Sequence, residues 1–129
     1  MILLDTHVLV WLVLYPKKLS RAAASAIRRA EMGKGLAISA VSLLELVNLI
    51  AANRLDVIGS VERTLASLTQ DVDIRPLTLE IAARSAYLPP DFPRDPADRA
   101  IAATASVEGI PLVTADERIL KCPAIKTIW

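Results

Sequence analysis

Several common kinds of site cannot be built from this chain. It contains one cysteine, Cys122, and one histidine, His7. That excludes an intrachain disulfide and a zinc centre of His and Cys ligands. The lone cysteine suits a reducing compartment, so the expected location is the cytoplasm. Glycine is scarce, with four residues. No Gly-x-Gly-x-x-Gly or Gly-x-x-x-x-Gly-Lys-Ser/Thr loop occurs, which argues against a nucleotide cradle. A Gly-x-Ser-x-Gly elbow is also missing, and a Ser-His-Asp triad would depend on His7 alone. Aromatic residues make up 4% of the chain, too few for a ladder that stacks single-stranded bases. The longest apolar run, Val8 to Tyr15, is too short to span a bilayer. The N-terminus has no basic region followed by a small-residue cleavage site, so no signal peptide is expected. With 15 Lys and Arg against 14 Asp and Glu, the net charge is +1, and the chain as a whole is no polycation. Its first 34 residues are more basic, holding Lys17, Lys18, Arg21, Arg28, Arg29 and Lys34 against Asp5 and Glu31. That face could meet phosphates, or simply be a solvated helix surface.

What is present is a hydrophobic chain of one-domain length. Its 129 residues are 53% hydrophobic, which implies an Ala-rich helical core or a buried oligomer interface. A single domain over residues 1–129 is expected. Ile2 to Leu4 reads as a buried strand. Thr6 can cap a helix through Leu14, which Pro16 ends. Ser20 caps a second helix to Met32, stopped by Gly33 or Gly35. Leu36 to Ser39 is a strand, and Val41, Leu44, Val47 and Leu49 mark a helix ending near Asn53. Ser60 caps another helix with Val61, Leu65 and Leu68 on one face. Asp73 to Pro76 is a short edge strand, and Thr78 opens a helix through Leu88. After a proline-rich connection, Asp95 caps a helix with Pro96 at its first position. Ile101, Ala102 and Ala105 form the buried stripe of that helix, and Gly109 ends it. Ile110 to Thr114 and Lys126 to Trp129 complete the strands. Short strands alternating with helices imply an α/β fold with a parallel sheet covered on both faces.

Ligands of such sheets bind beyond the carboxyl ends of the strands. Four acids fall there: Asp5, Glu45, Asp98 and Asp116. Carboxylates about 4 Å apart repel by roughly 4 kcal/mol at an effective dielectric of about 20, so a cluster of them calls for a cation. An all-carboxylate donor set suits Mg²⁺ or Mn²⁺, and metal-assisted phosphodiester chemistry is the first reading. Each acid also has a structural reading. Asp5 can cap the helix that follows it. Ser42-Leu43-Leu44-Glu45 matches a capping box in which Glu45 reaches back to its own helix end. Asp95 suits a cap better than a ligand, and Asp116 could be a solvated turn residue. Thr114 can fix a ligand carboxylate by hydrogen bonding. Arg99 could hold a phosphate or pair with Asp95. His7 is more simply structural than a base, and Trp11, Tyr15 and Trp129 are core or interface aromatics.

The segments Leu4-Asp5-Thr6-His7-Val8-Leu9-Val10-Trp11, Ile38-Ser39-Ala40-Val41-Ser42-Leu43-Leu44-Glu45, Asp95-Pro96-Ala97-Asp98-Arg99-Ala100-Ile101 and Leu112-Val113-Thr114-Ala115-Asp116 resemble, in this order, PIN-domain proteins of the VapC toxin type. The likeness spans nearly the whole chain. Leu44 departs from the pattern, since relatives often carry Trp there. The resemblance implies a three-layer α/β/α PIN-like fold with a short, mostly parallel central sheet. It implies a ribonuclease of a toxin–antitoxin pair, often a homodimer, inhibited by a cognate antitoxin. It further implies Mg²⁺ or Mn²⁺ held by Asp5 and Asp98, with Glu45 and Asp116 ligating through water or taking a proton from the attacking water. Thr6, Thr114 and Asp95 support the site. Asp5→Ala is expected to abolish cleavage and to leave the fold intact or more stable. Two other classes compete. One is a non-catalytic PIN-like protein that only binds a partner. The other is a receiver-type phosphoacceptor domain, which needs an acidic pair after the first strand and a lysine after the last.

Overall fold

A computed structural model describes residues 1–129. Five strands, β1 (Ile2–Leu4), β2 (Leu36–Ser39), β3 (Asp73–Arg75), β4 (Leu112–Val113) and β5 (Thr127–Ile128), form one sheet in the order β3-β2-β1-β4-β5. Every pair is parallel, so the sheet is wholly parallel. The central strand, β1, pairs Leu3 with Leu112 and Leu4 with Val113.

Neighbouring side chains of a strand point to opposite faces, and two cores divide on that alternation. Ile2, Leu4, Leu36, Ile38 and Val113 face one core, which is completed by α1 (Thr6–Leu14), α2 (Arg21–Glu31), Leu46 of α3 (Val41–Ala51) and Leu68 of α4 (Val61–Leu68). Leu3, Ala37 and Leu112 face the other, against α6 (Pro96–Glu108), Ile119 of α7 (Glu117–Leu120), Leu88 and Phe92. The result is an α/β/α sandwich, with α5 (Leu79–Ser85) packed on α6. Small residues at Ala102 and Ala105 let α6 lie close to the sheet. It ends at Gly109, whose φ of 65° is a left-handed conformation that a side chain would strain.

Five local expectations change. Asp5, and not Thr6, caps α1, because its carboxylate takes the Thr6 N–H and Thr6 is already the first helical residue. The helix expected through Leu88 stops at Ser85, because Arg99 Nη2 donates to the Ser85 carbonyl at 3.0 Å and Leu88 turns into the core. Leu44 does not belong to the buried face of α3; it is 65% exposed, and Ser42 and Leu46 are buried instead. The short helix α7 replaces a plain turn after β4, anchored by fully buried Ile119. The strand expected over Ile110 to Thr114 pairs regularly at Leu112 and Val113 alone.

Candidate active site

In a right-handed parallel crossover each helix starts where a strand ends. The first turns of α1, α3 and α7 therefore follow the carboxyl ends of β1, β2 and β4. α6, which returns from that edge to enter β4, starts there as well. Three acids cap α1, α6 and α7. Asp5 Oδ1 accepts from Thr6 N at 2.8 Å, Asp95 Oδ2 from Asp98 N at 3.0 Å, and Asp116 Oδ1 from Arg118 N at 2.9 Å. The positive end of each helix offsets part of the charge gathered there. The capping and clustering readings of these residues are thus compatible.

Asp5 is 4% exposed and fixed from two strands. The pairing of Leu4 with Val113 brings the following residues alongside, and Thr114 Oγ1 donates to Asp5 Oδ2 at 2.8 Å. That same oxygen of Thr114 accepts from Asp116 N at 3.1 Å. His7 joins the same assembly. Its Nε2 accepts from Ala115 N at 3.0 Å, so the neutral ring must carry its proton on Nδ1, which lies 3.6 Å from Asp5 Oδ2. That separation is too long for a hydrogen bond and short enough for electrostatic contact. Trp11 packs its ring against His7 edge-on. We expect two-bond ¹H–¹⁵N correlation spectra to show the Nδ1–H tautomer for His7; an Nε2–H ring would contradict this arrangement.

Glu45 does not close a capping box. α3 starts one residue before Ser42, with no side-chain cap at Ala40, and Ser39 Oγ takes the Val41 N–H at 3.2 Å. Glu45 instead meets Thr6 Oγ1 across the site, and Thr6 Oγ1 lies 2.8 Å from Ser42 Oγ. One hydroxyl has one proton. With Glu45 ionised, Thr6 donates to it and Ser42 donates to Thr6. With Glu45 protonated, both directions can reverse.

Asp5, Thr6, His7, Glu45, Asn48, Arg54 and Asp98 line one pocket of about 320 Å³. Burial pushes the Asp98 carboxyl from 3.8 up to about 7, and Asp5, Asp95, Glu45 and Asp116 add repulsion. Burial likewise raises Glu45, against the lowering effect of the Thr6 hydrogen bond. Ligand oxygens of Glu45, Asp95 and Asp98 lie within 4.8 Å of one another, a spacing that could hold a metal ion. The donors are all carboxylate oxygens, which fits Mg²⁺ or Mn²⁺. Asp116 stands at the rim. The Arg118 guanidinium grips it from Nε at 3.2 Å and Nη2 at 2.9 Å and holds its carboxyl below the usual range.

The fold therefore brings Asp5, Glu45 and Asp98 to one pocket, sets Asp95 beside them and puts Asp116 at the edge under Arg118. Arg99 faces elsewhere: it donates to the carbonyls of Pro93 and Ser85 and pins the proline-rich connection to α5. Sequence reasoning missed Ser42, Asn48 and Arg118. Asn48 lies three residues after Glu45 on the same helical face, a spacing open to view; Arg118, two residues after Asp116, meets it only because Asp116 caps α7, which the spacing alone does not show.

Comparison with known proteins agrees with this fold. The family model for the PIN domain matches residues 2–124. Ribonuclease VapC22 of Mycobacterium tuberculosis is 39% identical over 130 residues, covering 99% of this chain and 98% of the relative. Among solved structures, VapBC2 of Rickettsia felis bound to a promoter DNA fragment superposes with a TM-score of 0.74 at 17% identity, covering 98% of this chain and 97% of the other. A toxin–antitoxin complex from Klebsiella pneumoniae gives 0.64 at 23% identity, covering 96% and 94%. Sheet order, the acids at its carboxyl edge and a full-length relative agree: this chain belongs to the PIN-domain family, among its VapC members.

Proposed function

We propose that this protein is a Mg²⁺- or Mn²⁺-dependent endoribonuclease, the toxin of a VapBC-type toxin–antitoxin pair, formed by a single nuclease domain over residues 1–129. The observation that carries this reading is the shared pocket of Asp5, Glu45 and Asp98, with Asp95 in ligating reach and the carboxyls of Glu45 and Asp98 raised by burial and mutual repulsion. The ribonuclease name of the full-length relative supports it.

In this reading Asp5 and Asp98 would be the principal metal ligands, with Glu45 and Asp116 reaching the ion through water. A bound divalent ion supplies charge neutralisation at the phosphate and acidifies a water. Thr6 N and Thr114 hold the Asp5 carboxylate in one orientation. Glu45, whose affinity for protons is raised, accepts the proton of the attacking water, and the hydroxyls of Thr6 and Ser42 reorient as it does so. The first turns of α1 and α6 favour the phosphodiester. Lys18, over the Trp11 and Tyr15 rings, of which Trp11 packs on His7, extends a basic approach for RNA.

An antitoxin would occupy the groove of about 540 Å³ floored by buried Leu55, where Val13, Leu14, Tyr15 and Ile58 leave large apolar side chains in solvent. Exposed Leu79 and Tyr87 around α5 suit a homodimer interface. No helix is long and apolar enough to cross a membrane, and we assign the protein to the cytoplasm. Freed of antitoxin and incubated with total RNA, it should create new ends in Mg²⁺ or Mn²⁺ and none in EDTA. If calorimetry detected binding of neither ion, the non-catalytic partner-binding class would replace this reading.

A further inference from the structure

His7 stands 3.6 Å from Asp5 and Arg54 lines the same pocket, but one guanidinium forms ion pairs with the acid cluster. Arg118 is the sole Lys or Arg that pairs with any of Asp5, Glu45, Asp95, Asp98 or Asp116. Its Nη2 lies 2.9 Å from Asp116 Oδ2 and 3.9 Å from Asp98 Oδ2. Its Nε and backbone N–H both donate to Asp116 Oδ1. Both oxygens of Asp116 are therefore engaged by one residue, and the guanidinium leans over Asp98 from the solvent side. The side chain is 68% exposed, so it can swing away at little cost. α7 does not need it, since the backbone N–H of residue 118 makes the cap and buried Ile119 anchors the helix.

A divalent cation and this guanidinium compete for the same carboxylates. Once displaced, a rim guanidinium faces the solvent side from which a phosphodiester arrives, and its planar fork suits phosphate oxygens as well as it suits a carboxylate. We propose that Arg118 is a resident counter-cation of the acid cluster that yields Asp98 and Asp116 to an incoming divalent ion and then binds the phosphate of the RNA. The inference rests on the metal-dependent ribonuclease reading and assigns a substrate-binding residue to it.

The two halves of this role carry opposite signs. Removing the charge should tighten metal binding and weaken RNA binding. By calorimetry with Mn²⁺ alone, Arg118→Ala and the neutral, long-chain Arg118→Gln should each bind the ion roughly fivefold more tightly than the parent, the upper range for loss of one exposed ion pair. In cleavage assays both variants should show KM for single-stranded RNA raised by about tenfold. The salt dependence of KM should also be shallower, by about one phosphate contact. A purely structural staple would move neither quantity. If Mn²⁺ affinity is unchanged or weaker in both variants, or KM does not rise, the role is refuted. If the parent protein itself binds no Mn²⁺, the failure belongs to the ribonuclease reading, and the inference falls with it.

Discussion

Asp98→Asn should abolish metal-dependent RNA cleavage and, in the same protein freed of metal, raise the melting temperature at neutral pH. The loss of activity should exceed the 10- to 100-fold that outer-shell changes cause, because the variant removes a ligand that the cluster places centrally. The gain in stability follows from the carboxyl's titration. Folding moves Asp98 from 3.8 up to about 7, so between those values the folded chain holds a proton that the unfolded chain has lost. Stability then falls as pH rises. The favourable contribution is complete below about 3.8 and gone once pH passes about 7. One pK unit corresponds to about 1.4 kcal/mol. Asp98 is partly solvated, and its neighbours relax, which reduces the full figure to on the order of 1–3 kcal/mol. Glu45, also raised, slopes the same way, whereas the stability from Asp116, lowered by Arg118 from 3.8, is lost only as pH falls below that value and leaves this window nearly untouched. Metal-free melts from pH 4 to pH 8 should therefore decline for the parent and flatten for Asp98→Asn, with a gain of at least about 3 °C at pH 8. Adding Mn²⁺ should reverse the order, because the parent alone then gains from the ion. A variant that melts lower than the parent at pH 8 without metal would contradict the crowded-charge account of this site.

Asp5→Ala should lose cleavage to a similar extent with the opposite effect on stability. Simple relief of like-charge repulsion would leave the fold intact or firmer, and that is the expectation from sequence alone. The structure adds two costs. Asp5 caps α1 through Thr6 N, and losing such a cap costs about 1 kcal/mol. The fully buried Thr114 hydroxyl donates to Asp5 Oδ2, and a buried donor left without its partner costs about 1–3 kcal/mol. The relief that Asp98 gains offsets only part of this. Denaturant unfolding of metal-free Asp5→Ala should show a net loss of about 1–2 kcal/mol. Asp5→Asn keeps an oxygen for Thr6 N and so the cap of α1, but its NH2 faces the Thr114 hydroxyl, whose proton still loses its acceptor. It should fall between Asp5→Ala and the parent in stability and still fail to cleave. Equal stability of Asp5→Ala and Asp5→Asn would show that the Thr6 bond does not anchor the carboxylate.

These opposite signs at two neighbouring acids mark where reading the chain stops being enough. Asp5 and Asp98 look alike in sequence, each an acid at the start of an apolar helix. They differ in what lies opposite. Asp5 is held by donors from α1 and from the loop after β4, residues 109 positions away, while Asp98 faces four other carboxylates. Glu45 shows the same limit. Ser42 and Glu45 have capping-box spacing, yet Ala40 and Ser39 start the helix, and both side chains turn to Thr6. The surplus Leu44 that seemed part of a buried stripe is exposed, because the stripe had to be aimed at a sheet whose position the periodicity does not encode.

By itself the sequence determined the alternation of strands and helices, the wholly apolar β1, the caps at Ser20, Ser60 and Asp95, the helix start at Thr78 and the stop at Gly109. All of these are local: capping, periodicity and hydrogen-bond supply act within a few residues. The tertiary structure alone decided which carboxylates are buried together, that one lone histidine ties Asp5 to the loop of Asp116, and that Arg118 covers the rim. Those features depend on distances between elements far apart in the chain. Electrostatic energy varies with separation and burial, and neither is defined until the parallel sheet has set its strands side by side.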